Sequence, residues 1–312
     1  MTSGTARAVR FDAFGGPEVL YVTDIPMPSP GPGEVVVAVR AAGINPGESG
    51  IRTGALEFRY RTSFPCGEGS DLAGVVTALG PGVTGFAVGD EVLGFSWTRS
   101  SHATHTAVPV TQLIPKPPAL SWEVAGALYV VACTAFAAVR AIHFEAGETV
   151  AVSAAAGGVG TLTVQLLRHK GVNVLGIASP SNQDWLAAHG AVQVSYGPGL
   201  TQRLRAAAPD GIDAFIDLFG PQYVDLALEL GIPKDRINTI IAFQAAERLG
   251  VKAEGSEQAS TVDVLTYMAG LVADGTLEIP IAATYALDDV VKAFEELDHR
   301  HTRGKIVLVP AP

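Results

Sequence analysis

The chain has 312 residues, 48% of them hydrophobic and 17% charged, which is typical of a globular protein with material for one large domain or two of ordinary size. Its 31 acidic side chains outnumber the 21 basic ones, so the formal charge is −10. That acidity, without a dense Lys/Arg run, argues against nucleic acid or an anionic membrane as the main partner and favours a small molecule.

The cysteines and the hydropathy pattern argue against several classes of protein. Cys66 and Cys133 lie far apart and match no metal spacing, which argues against structural zinc and a disulfide framework. The N-terminal segment lacks the apolar core of a secretory signal. The longest apolar run, 125–139, is shorter than the roughly 18 residues that a membrane span needs. These patterns predict a reduced, cytoplasmic setting.

The first 120 residues carry short β-branched runs, at 34–44, 72–80 and 90–95, separated by glycine and proline clusters. Such spacing predicts a compact, β-rich barrel. Near residue 121 the prolines give way to a long apolar helical pattern for which Ser121 is a plausible N-cap. We place a domain boundary there.

From residue 149 the pattern alternates between strand and helix. The apolar run 149–155 is typical of a parallel strand buried on both faces, and 157–171 carries an apolar helical stripe. Further strands are predicted at 172–179, 192–196, 212–220 and 237–243. Repeated βα units predict an α/β fold with a doubly wound parallel sheet.

After a predicted helix at 260–275, the runs 279–287 and 304–310 return to β character. We expect this tail to rejoin the first domain. The predicted domains are 1–121 with 276–312 for the barrel, and 122–275 for the parallel sheet.

The stretch 153–160 reads SAAAGGVG and lies between a predicted strand and a predicted helix. Gly157 would let an anionic ligand approach the backbone, Gly160 would let the helix pack closely on the strand, and the helix N-terminus would face a pyrophosphate. Ala155 replaces the first glycine of G-x-G-x-x-G, which is tolerable if its φ stays negative. The alternative is a glycine-rich turn without a nucleotide, but the strand–helix context favours a dinucleotide site.

The residues after the second predicted strand should indicate which dinucleotide binds. The segment 178–182 reads ASPSN and contains no carboxylate, which favours NADPH over NADH. It also lacks Arg and Lys, so a 2′-phosphate would have no cation in this segment. Ser179 and Asn182 could equally be ordinary loop or N-cap residues.

Six ordered motifs resemble a known family. They are FGGPEVL (14–20), AAGINPGES (41–49), GSDLAGVV (69–76), GDEVLGF (89–95), AAAGGVG (154–160) and TRGKIVLVP (302–310). Together they resemble the zinc-free quinone oxidoreductase branch of the medium-chain dehydrogenase/reductase superfamily. The resemblance implies a GroES-like barrel domain plus a Rossmann domain, NADPH-dependent hydride transfer to a small-molecule quinone or enone, and a homodimer.

Zinc-dependent members of that superfamily carry a Cys near the position of Asn45 and a Gly-His-Glu near 69–71. Here Ser70 stands in the place of the histidine, and the cysteine-rich lobe for a structural zinc is missing. Asn and Ser are poor zinc ligands beside Cys and His. The sequence therefore predicts no zinc.

By position, the resemblance implies Asn45 as a hydrogen-bond donor to the reacting oxygen and Thr134 beside the nicotinamide. It implies the following cofactor contacts: Gly157, Gly158, Val159 and Gly160 at the pyrophosphate, Ser179, Asn182 and Tyr196 at the 2′-phosphate, and Phe219 and Phe243 towards the nicotinamide half. The structural alternatives are a turn residue for Asn45, a core hydroxyl for Thr134 and strand-end packing for the two phenylalanines.

Several positions depart from the family pattern. Many relatives have Lys where Asn182 stands, and some have tyrosines where this chain has Gly50 and Leu56. In 100–108, His102 or His105 could donate a proton, although a surface or core histidine is favoured. Three functions remain open: a reductase of quinones or other activated C=C or C=O acceptors, an enoyl or enone reductase acting on a larger biosynthetic intermediate, and a nucleotide-binding sensor or structural protein with little turnover.

Overall fold

The computed structural model describes residues 4–310. By its internal contacts the chain divides into two compact units. The barrel unit contains the residues up to Val130, Thr261–Thr276 and the residues from Ile281 onward. The parallel-sheet unit contains Val131–Ser260 and Leu277–Pro280.

The strands are β1 (Thr5–Phe11), β2 (Tyr21–Pro26), β3 (Glu34–Gly43), β4 (Cys66–Gly67), β5 (Asp71–Leu79), β6 (Glu91–Phe95), β7 (His105–Pro109), β8 (Leu113–Pro115), β9 (Thr149–Val152), β10 (Asn173–Ile177), β11 (Ala191–Val194), β12 (Ala214–Asp217), β13 (Ile237–Thr239), β14 (Ile281–Ala286) and β15 (Lys305–Val309). The α-helices are α1 (Pro46–Arg52), α2 (Trp122–Gly126), α3 (Leu128–Ala141), α4 (Gly158–His169), α5 (Gln183–Ala188), α6 (Leu200–Ala207), α7 (Pro221–Glu229), α8 (Phe243–Leu249), α9 (Val262–Ala273) and α10 (Val290–Asp298).

Strand β3 organises the barrel unit because it pairs antiparallel with β5, β7 and β15. Its alternating residues Val35 and Val37 are buried against Leu72, Val76 and Val92 from the neighbouring strands. Val36, which lies between them and points to the opposite face, is buried too, so this part of β3 is covered on both faces. The predicted β-rich barrel is confirmed.

The C-terminal tail completes the same sheet. Val307 and Leu308 of β15 pair with Gly43 and Ala42 of β3, and β14 runs parallel to β15. Strand β15 also carries Ile306 into a second apolar core with Phe11. The tail therefore brings its first residue, Lys305, to the end of β3.

The parallel-sheet unit holds a five-stranded sheet in the order β11-β10-β9-β12-β13, with every pair parallel. Its central strands are continuous apolar runs, and Ala151, Leu175, Phe215 and Ile237 share one buried core. The strand order reverses at β9, where a doubly wound sheet binds ligands at its carboxyl edge. The predicted fold class is confirmed.

Element ends differ from the predicted ends by a few residues. The apolar run 149–155 forms a strand only to Val152, because the chain turns at 153–156 before α4 begins. Ser121 caps α2, its hydroxyl accepting the Val124 N–H at 3.3 Å. The contact units change at Val130 and assign Thr261–Thr276 to the barrel unit, so the domain bounds 121/122 and 275/276 stay a prediction.

The turn between β9 and α4 brings two backbones into close contact. A Cβ added at Gly160 would lie 2.1 Å from the Ala154 carbonyl oxygen and 2.8 Å from the Ala155 Cα. Ala154 itself has φ +47°, whereas Ala155 is not among the residues with positive φ. The alanine in place of the first motif glycine therefore fits, and the strained backbone falls one residue earlier.

We expect Gly160→Ala to lower the free energy of unfolding by about 2 kcal/mol or more, because the methyl group overlaps backbone atoms that cannot rotate away. Gly270 on α9 is the matched control, since a Cβ there meets nothing within 4 Å. Gly270→Ala should raise the free energy of unfolding by about 0.5–1 kcal/mol. Urea unfolding of both variants measures the difference, and equal effects would contradict the packing role of Gly160.

Candidate cofactor and acceptor sites

Helix α4 begins directly at the glycine loop. Gly157 is its N-cap residue, in an extended conformation with φ −74° and ψ 176°. A Cβ at Gly157 would meet only the Ala154 carbonyl oxygen, at 3.3 Å. The N-terminus of this 12-residue helix thus follows the carboxyl end of β9 with space beside it, as an anionic ligand requires.

A buried carboxylate braces that edge of the sheet. Asp217 Oδ1 accepts hydrogen bonds from the Ser153 hydroxyl at 2.8 Å and from the backbone N–H of Phe219 and Gly220 at 2.9 and 3.1 Å. Its Oδ2 accepts the Thr239 hydroxyl at 2.7 Å. Burial raises the pKa of Asp217, while these hydrogen bonds lower it. The ends of β9, β12 and β13 are therefore fixed to one another.

The ends of β10 and β11 carry the polar residues predicted for the adenosine end. The Ser179 hydroxyl lies 3.0 Å from Asn182 Nδ2. Gln193 Nε2 donates to the Ala178 carbonyl at 2.7 Å and to the Ser195 hydroxyl at 3.2 Å. Tyr196 follows, with 47% of its surface exposed. Gln193 thus links the segment after β10, which carries Ser179 and Asn182, to the segment after β11, which carries Tyr196.

The structure adds a cation that the sequence reasoning missed. Arg203, on α6, donates from Nε to the Ser195 carbonyl at 2.9 Å and from Nη2 to the Tyr196 carbonyl at 3.2 Å. Two further bonds reach the carbonyls of Gly197 and Pro198. Because α6 follows β11 rather than β10, a search of the residues after β10 alone could not find this charge.

The remaining predicted cofactor residues lie at several places in the parallel-sheet unit. Phe219 follows β12, is half-buried, and packs edge-on against Tyr223 with ring centroids 5.6 Å apart. Phe243 is half-buried at the first turn of α8, and Thr134 is buried on α3. These three assignments stay predictions.

In the barrel unit, a buried ammonium joins Asn45 to the C-terminal strand. Lys305 Nζ donates to the Ile44 carbonyl at 2.8 Å, to Asn45 Oδ1, and to Asp71 Oδ2 at 3.3 Å. Asn45 Nδ2 donates to the same Asp71 oxygen at 3.1 Å, and Asp71 Oδ1 accepts the Val130 N–H at 2.7 Å. Burial raises the pKa of Asp71, and the Lys305 charge lowers it.

Two glutamates extend this network. Glu48 Oε2 accepts the Asn45 backbone N–H at 2.9 Å, and its Oε1 accepts the Ser70 N–H at 2.9 Å. Glu68 Oε1 accepts from Arg52 Nη1 at 2.9 Å, while its buried Oε2 has no partner among the described residues. Burial and the neighbouring Glu48 raise the pKa of Glu68 to about 8, although Arg52 opposes the shift.

The two histidines of 100–108 both lie in the barrel unit, and their role stays a prediction. His102 is 1% exposed, and its Nε2 lies 3.2 Å from the Gly43 carbonyl oxygen. His105 is half-buried beside the Thr104 hydroxyl, and burial lowers its pKa.

Residues 4–310 contain neither a metal-binding cluster nor a helix that could span a membrane. No group of three or more His, Cys, Asp or Glu side chains there could hold a metal ion. Within the same range, no helix has the length and apolar character that crossing a membrane requires.

Comparison with known proteins identifies the family. Two family models match the chain, the alcohol dehydrogenase GroES-like domain at residues 31–118 and the zinc-binding dehydrogenase at residues 188–308. The quinone oxidoreductase of Pseudomonas aeruginosa is 30% identical over 98% of this chain and 100% of its own length. The chain belongs to the quinone oxidoreductase family of the medium-chain dehydrogenase/reductase superfamily. It is therefore an oxidoreductase.

Three further similar proteins align along nearly their whole length. The quinone oxidoreductase of Rattus norvegicus is 29% identical, with 97% of each chain covered. The solved quinone oxidoreductase of Coxiella burnetii has a TM-score of 0.85 at 29% identity and covers 98% of this chain and 99% of its own. A mycobacterial protein solved in complex with NADPH has a TM-score of 0.86 at 26% identity and covers 98% and 100%. These solved structures confirm the GroES-like and Rossmann folds.

One similar protein is much longer than this chain. The spectinabilin polyketide synthase system protein NorB of Streptomyces orinoci is 32% identical over 90% of this chain, which matches only 13% of NorB.

The raised pKa of Glu68 predicts a pH-dependent stability. Folded Glu68 holds its proton between its ordinary value of 4.5 and about 8, whereas the unfolded chain releases it. The free energy of unfolding should therefore fall as pH rises across this window, by at most about 1.4 kcal/mol per pH unit. Glu68→Gln should remove that contribution.

Urea unfolding at several pH values between 5 and 9 measures the effect as the difference between parent and variant, with the exposed Glu295→Gln as control. A difference that does not change with pH would contradict a proton on folded Glu68.

Proposed function

We propose that the protein is an NADPH-dependent oxidoreductase that transfers a hydride to a quinone or other activated C=C or C=O acceptor without zinc. The observation that carries this proposal is the glycine loop 157–160, which opens α4 at the point where the order of a parallel sheet reverses. Family membership and the NADPH complex of a similar mycobacterial protein support it.

The cofactor's pyrophosphate would lie at Gly157, Gly158, Val159 and Gly160. Backbone N–H groups and the positive end of the α4 dipole suit its charge, and the absence of a side chain on Gly157 leaves the approach open. When bound, NADPH supplies the hydride. Thr134, Phe219 and Phe243 would contact its nicotinamide half.

NADPH rather than NADH is favoured by the polar residues after β10 and β11. A 2′-phosphate would find hydroxyl and amide donors on Ser179, Asn182 and Tyr196, and no carboxylate repels it in 178–182. Arg203, 3.2 Å from the Tyr196 carbonyl, adds the positive charge that this segment lacks. Its charge acts on the phosphate even while its N–H groups hold the loop.

Zinc does not fit the residues of the barrel unit. Asn45 and Ser70 offer an amide and a hydroxyl, which are poor ligands for Zn²⁺. Lys305 occupies Asn45 Oδ1 and one oxygen of Asp71, so a metal would have to displace a buried ammonium. The lysine supplies a fixed positive charge at Asn45 instead.

Quinone reduction consumes NADPH, a proton and the quinone, and yields NADP⁺ and a hydroquinone. Both hydrogens of the Asn45 amide face carboxylates, with Nδ2 3.1 Å from Asp71 Oδ2 and 3.4 Å from Glu48 Oε1. Donation by Asn45 to the developing oxyanion therefore requires one of these bonds to open. The Lys305 ammonium would hold the amide oriented while it does so.

A second candidate is an enoyl or enone reductase acting on a larger biosynthetic intermediate. The similarity to part of NorB favours it. The smaller residues Gly50 and Leu56 do not, because a Cβ at Gly50 would lie 2.9 Å from Leu56 Cδ1, so the leucine fills that space. Membership of an oxidoreductase family argues against the third function, a sensor or structural protein with little turnover.

We further propose a cytoplasmic homodimer that binds neither nucleic acid nor membrane. The net charge of −10 supports the absence of polyanionic partners, and the family resemblance supports the dimer. Light scattering on the purified protein distinguishes one chain from two.

The acceptor class is tested by following NADPH oxidation with 9,10-phenanthrenequinone and with 2-cyclohexen-1-one, using NADH as control. We expect turnover of the quinone with NADPH at least about tenfold preferred, corresponding to about 1.4 kcal/mol of phosphate recognition. Turnover of the enone alone would support the second candidate, the enoyl or enone reductase. No turnover of either acceptor would contradict the leading proposal.

Two variants test the cofactor contacts through binding constants, without any measurement of turnover. Gly157→Val should retain the parent's melting temperature but lose NADPH binding, because its side chain fills the space left for the pyrophosphate. Arg203→Gln should weaken NADPH about tenfold and leave NADH unchanged.

Arg203→Lys is the matched control, since it keeps the charge but not the fork of hydrogen bonds to the loop. Retained NADPH affinity in the lysine variant would assign the effect to charge. Unaltered NADPH binding in both Gly157→Val and Arg203→Gln would contradict the proposed position of the cofactor.

A further inference from the structure

Trp97 lies on a short, rigid turn after β6. The turn is closed by a hydrogen bond from the Arg99 N–H to the Ser96 carbonyl at 3.1 Å. The Ser96 hydroxyl, itself buried, lies 3.0 Å from the Thr98 hydroxyl and 2.8 Å from that of Ser100. The Trp97 N–H donates to Gln112 Oε1 at 3.2 Å. The backbone that carries the indole is thus fixed on both sides, yet 51% of the residue is exposed.

Two buried rings support the indole, and we call Phe95, Trp97 and Tyr129 the aromatic platform. Phe95 and Tyr129 are stacked, with centroids 4.2 Å apart and an interplanar angle of 15°. Trp97 stands nearly perpendicular to both, at 5.6 and 6.5 Å. Edge-to-face contacts of this kind hold an aromatic side chain in one orientation. The platform is therefore preorganised to receive a flat ligand on the exposed part of the indole.

The aromatic platform is attached to the same carboxylate as Asn45. Phe95 is paired with Asp71 in the β5–β6 register, and Tyr129 directly precedes Val130, whose N–H donates to Asp71 Oδ1 at 2.7 Å. The other oxygen of Asp71 accepts from Asn45 Nδ2. Asp71 therefore connects the proposed oxyanion donor to the one strongly exposed ring of this cluster.

We propose that the aromatic platform is an acceptor-binding subsite that selects planar, polycyclic quinones over small aliphatic enones. This inference rests on the proposed reduction of an acceptor at Asn45. Indole is an electron-rich π system and a quinone is an electron-poor one, so their faces attract in an offset stack. An aliphatic enone has no extended π face and gains little from this surface.

Steady-state kinetics at saturating NADPH test the selectivity. Trp97→Leu removes the indole and keeps an apolar side chain. Its KM for 9,10-phenanthrenequinone should rise about three- to tenfold, the range expected for loss of an aromatic pair. The KM for 2-cyclohexen-1-one should stay within about twofold, as expected for a ligand that lacks the stacking contact. Trp97→Phe should restore most of the quinone affinity, which a general loss of folding would not allow.

Tryptophan fluorescence gives a readout that needs no turnover. The chain has three tryptophans, and Trp185 lies in the parallel-sheet unit, stacked on His189. Phenanthrenequinone added without NADPH should quench the parent's emission saturably. The half-saturating quinone concentration should rise about three- to tenfold in Trp97→Leu and stay unchanged in the matched Trp185→Phe variant.

The outcomes separate this inference from the proposed function. Quinone turnover with the same KM in parent and Trp97→Leu would overturn the subsite and leave the proposed function standing. If no variant reduces either acceptor, the proposed function fails, and the titration alone decides the subsite. In that case, a half-saturating concentration that rises in Trp97→Leu but not in Trp185→Phe supports the subsite, and one that is unchanged in Trp97→Leu overturns it.

Discussion

A buried ammonium in the barrel unit holds the Asn45 side chain in place. Lys305 donates to the Ile44 carbonyl, to Asn45 and to Asp71, and so satisfies all three of its N–H groups. An ammonium removed from water is tolerated only with such complete pairing. Its position at the start of β15 joins the end of the chain to the end of β3. The orientation of the Asn45 amide, and thus any chemistry at Asn45, depends on this contact.

In the parallel-sheet unit, a buried carboxylate fixes the strand ends in the same way. Asp217 joins the ends of β9, β12 and β13 through side-chain and backbone donors. The rigid edge that results is the edge where α4 begins and where the polar loops after β10 and β11 emerge. Hydride transfer needs reactants held within a fraction of an ångström, and fixed strand ends provide that rigidity. Each unit thus stabilises its own functional edge by internal ion pairs or hydrogen bonds.

Local sequence patterns predicted the architecture, but they could not predict contacts between residues that are far apart in the sequence. The apolar run before SAAAGGVG predicted β9 and α4 because strand and helix periods are local. Sequence separation hid the role of Lys305, which lies 260 residues from Asn45. The run 237–243 was too long as a strand because the Thr239 hydroxyl accepts the N–H groups of Ile241 and Ala242 and turns the chain there. Arg203 was not predicted because it lies on α6 and reaches the loop after β11 from there.

Hydride transfer without a metal can be tested directly by measuring deuterium transfer and zinc content on the same sample. The protein is dialysed against a chelator, its zinc is quantified by mass spectrometry, and it is then given NADPH deuterated at the transferable position together with an enone. If Lys305 supplies the positive charge instead of a metal, deuterium should appear on the β-carbon of the product. Its rate of transfer should be the same before and after the chelator treatment. Loss of the reaction on zinc removal, and its return on adding Zn²⁺, would contradict that role for Lys305.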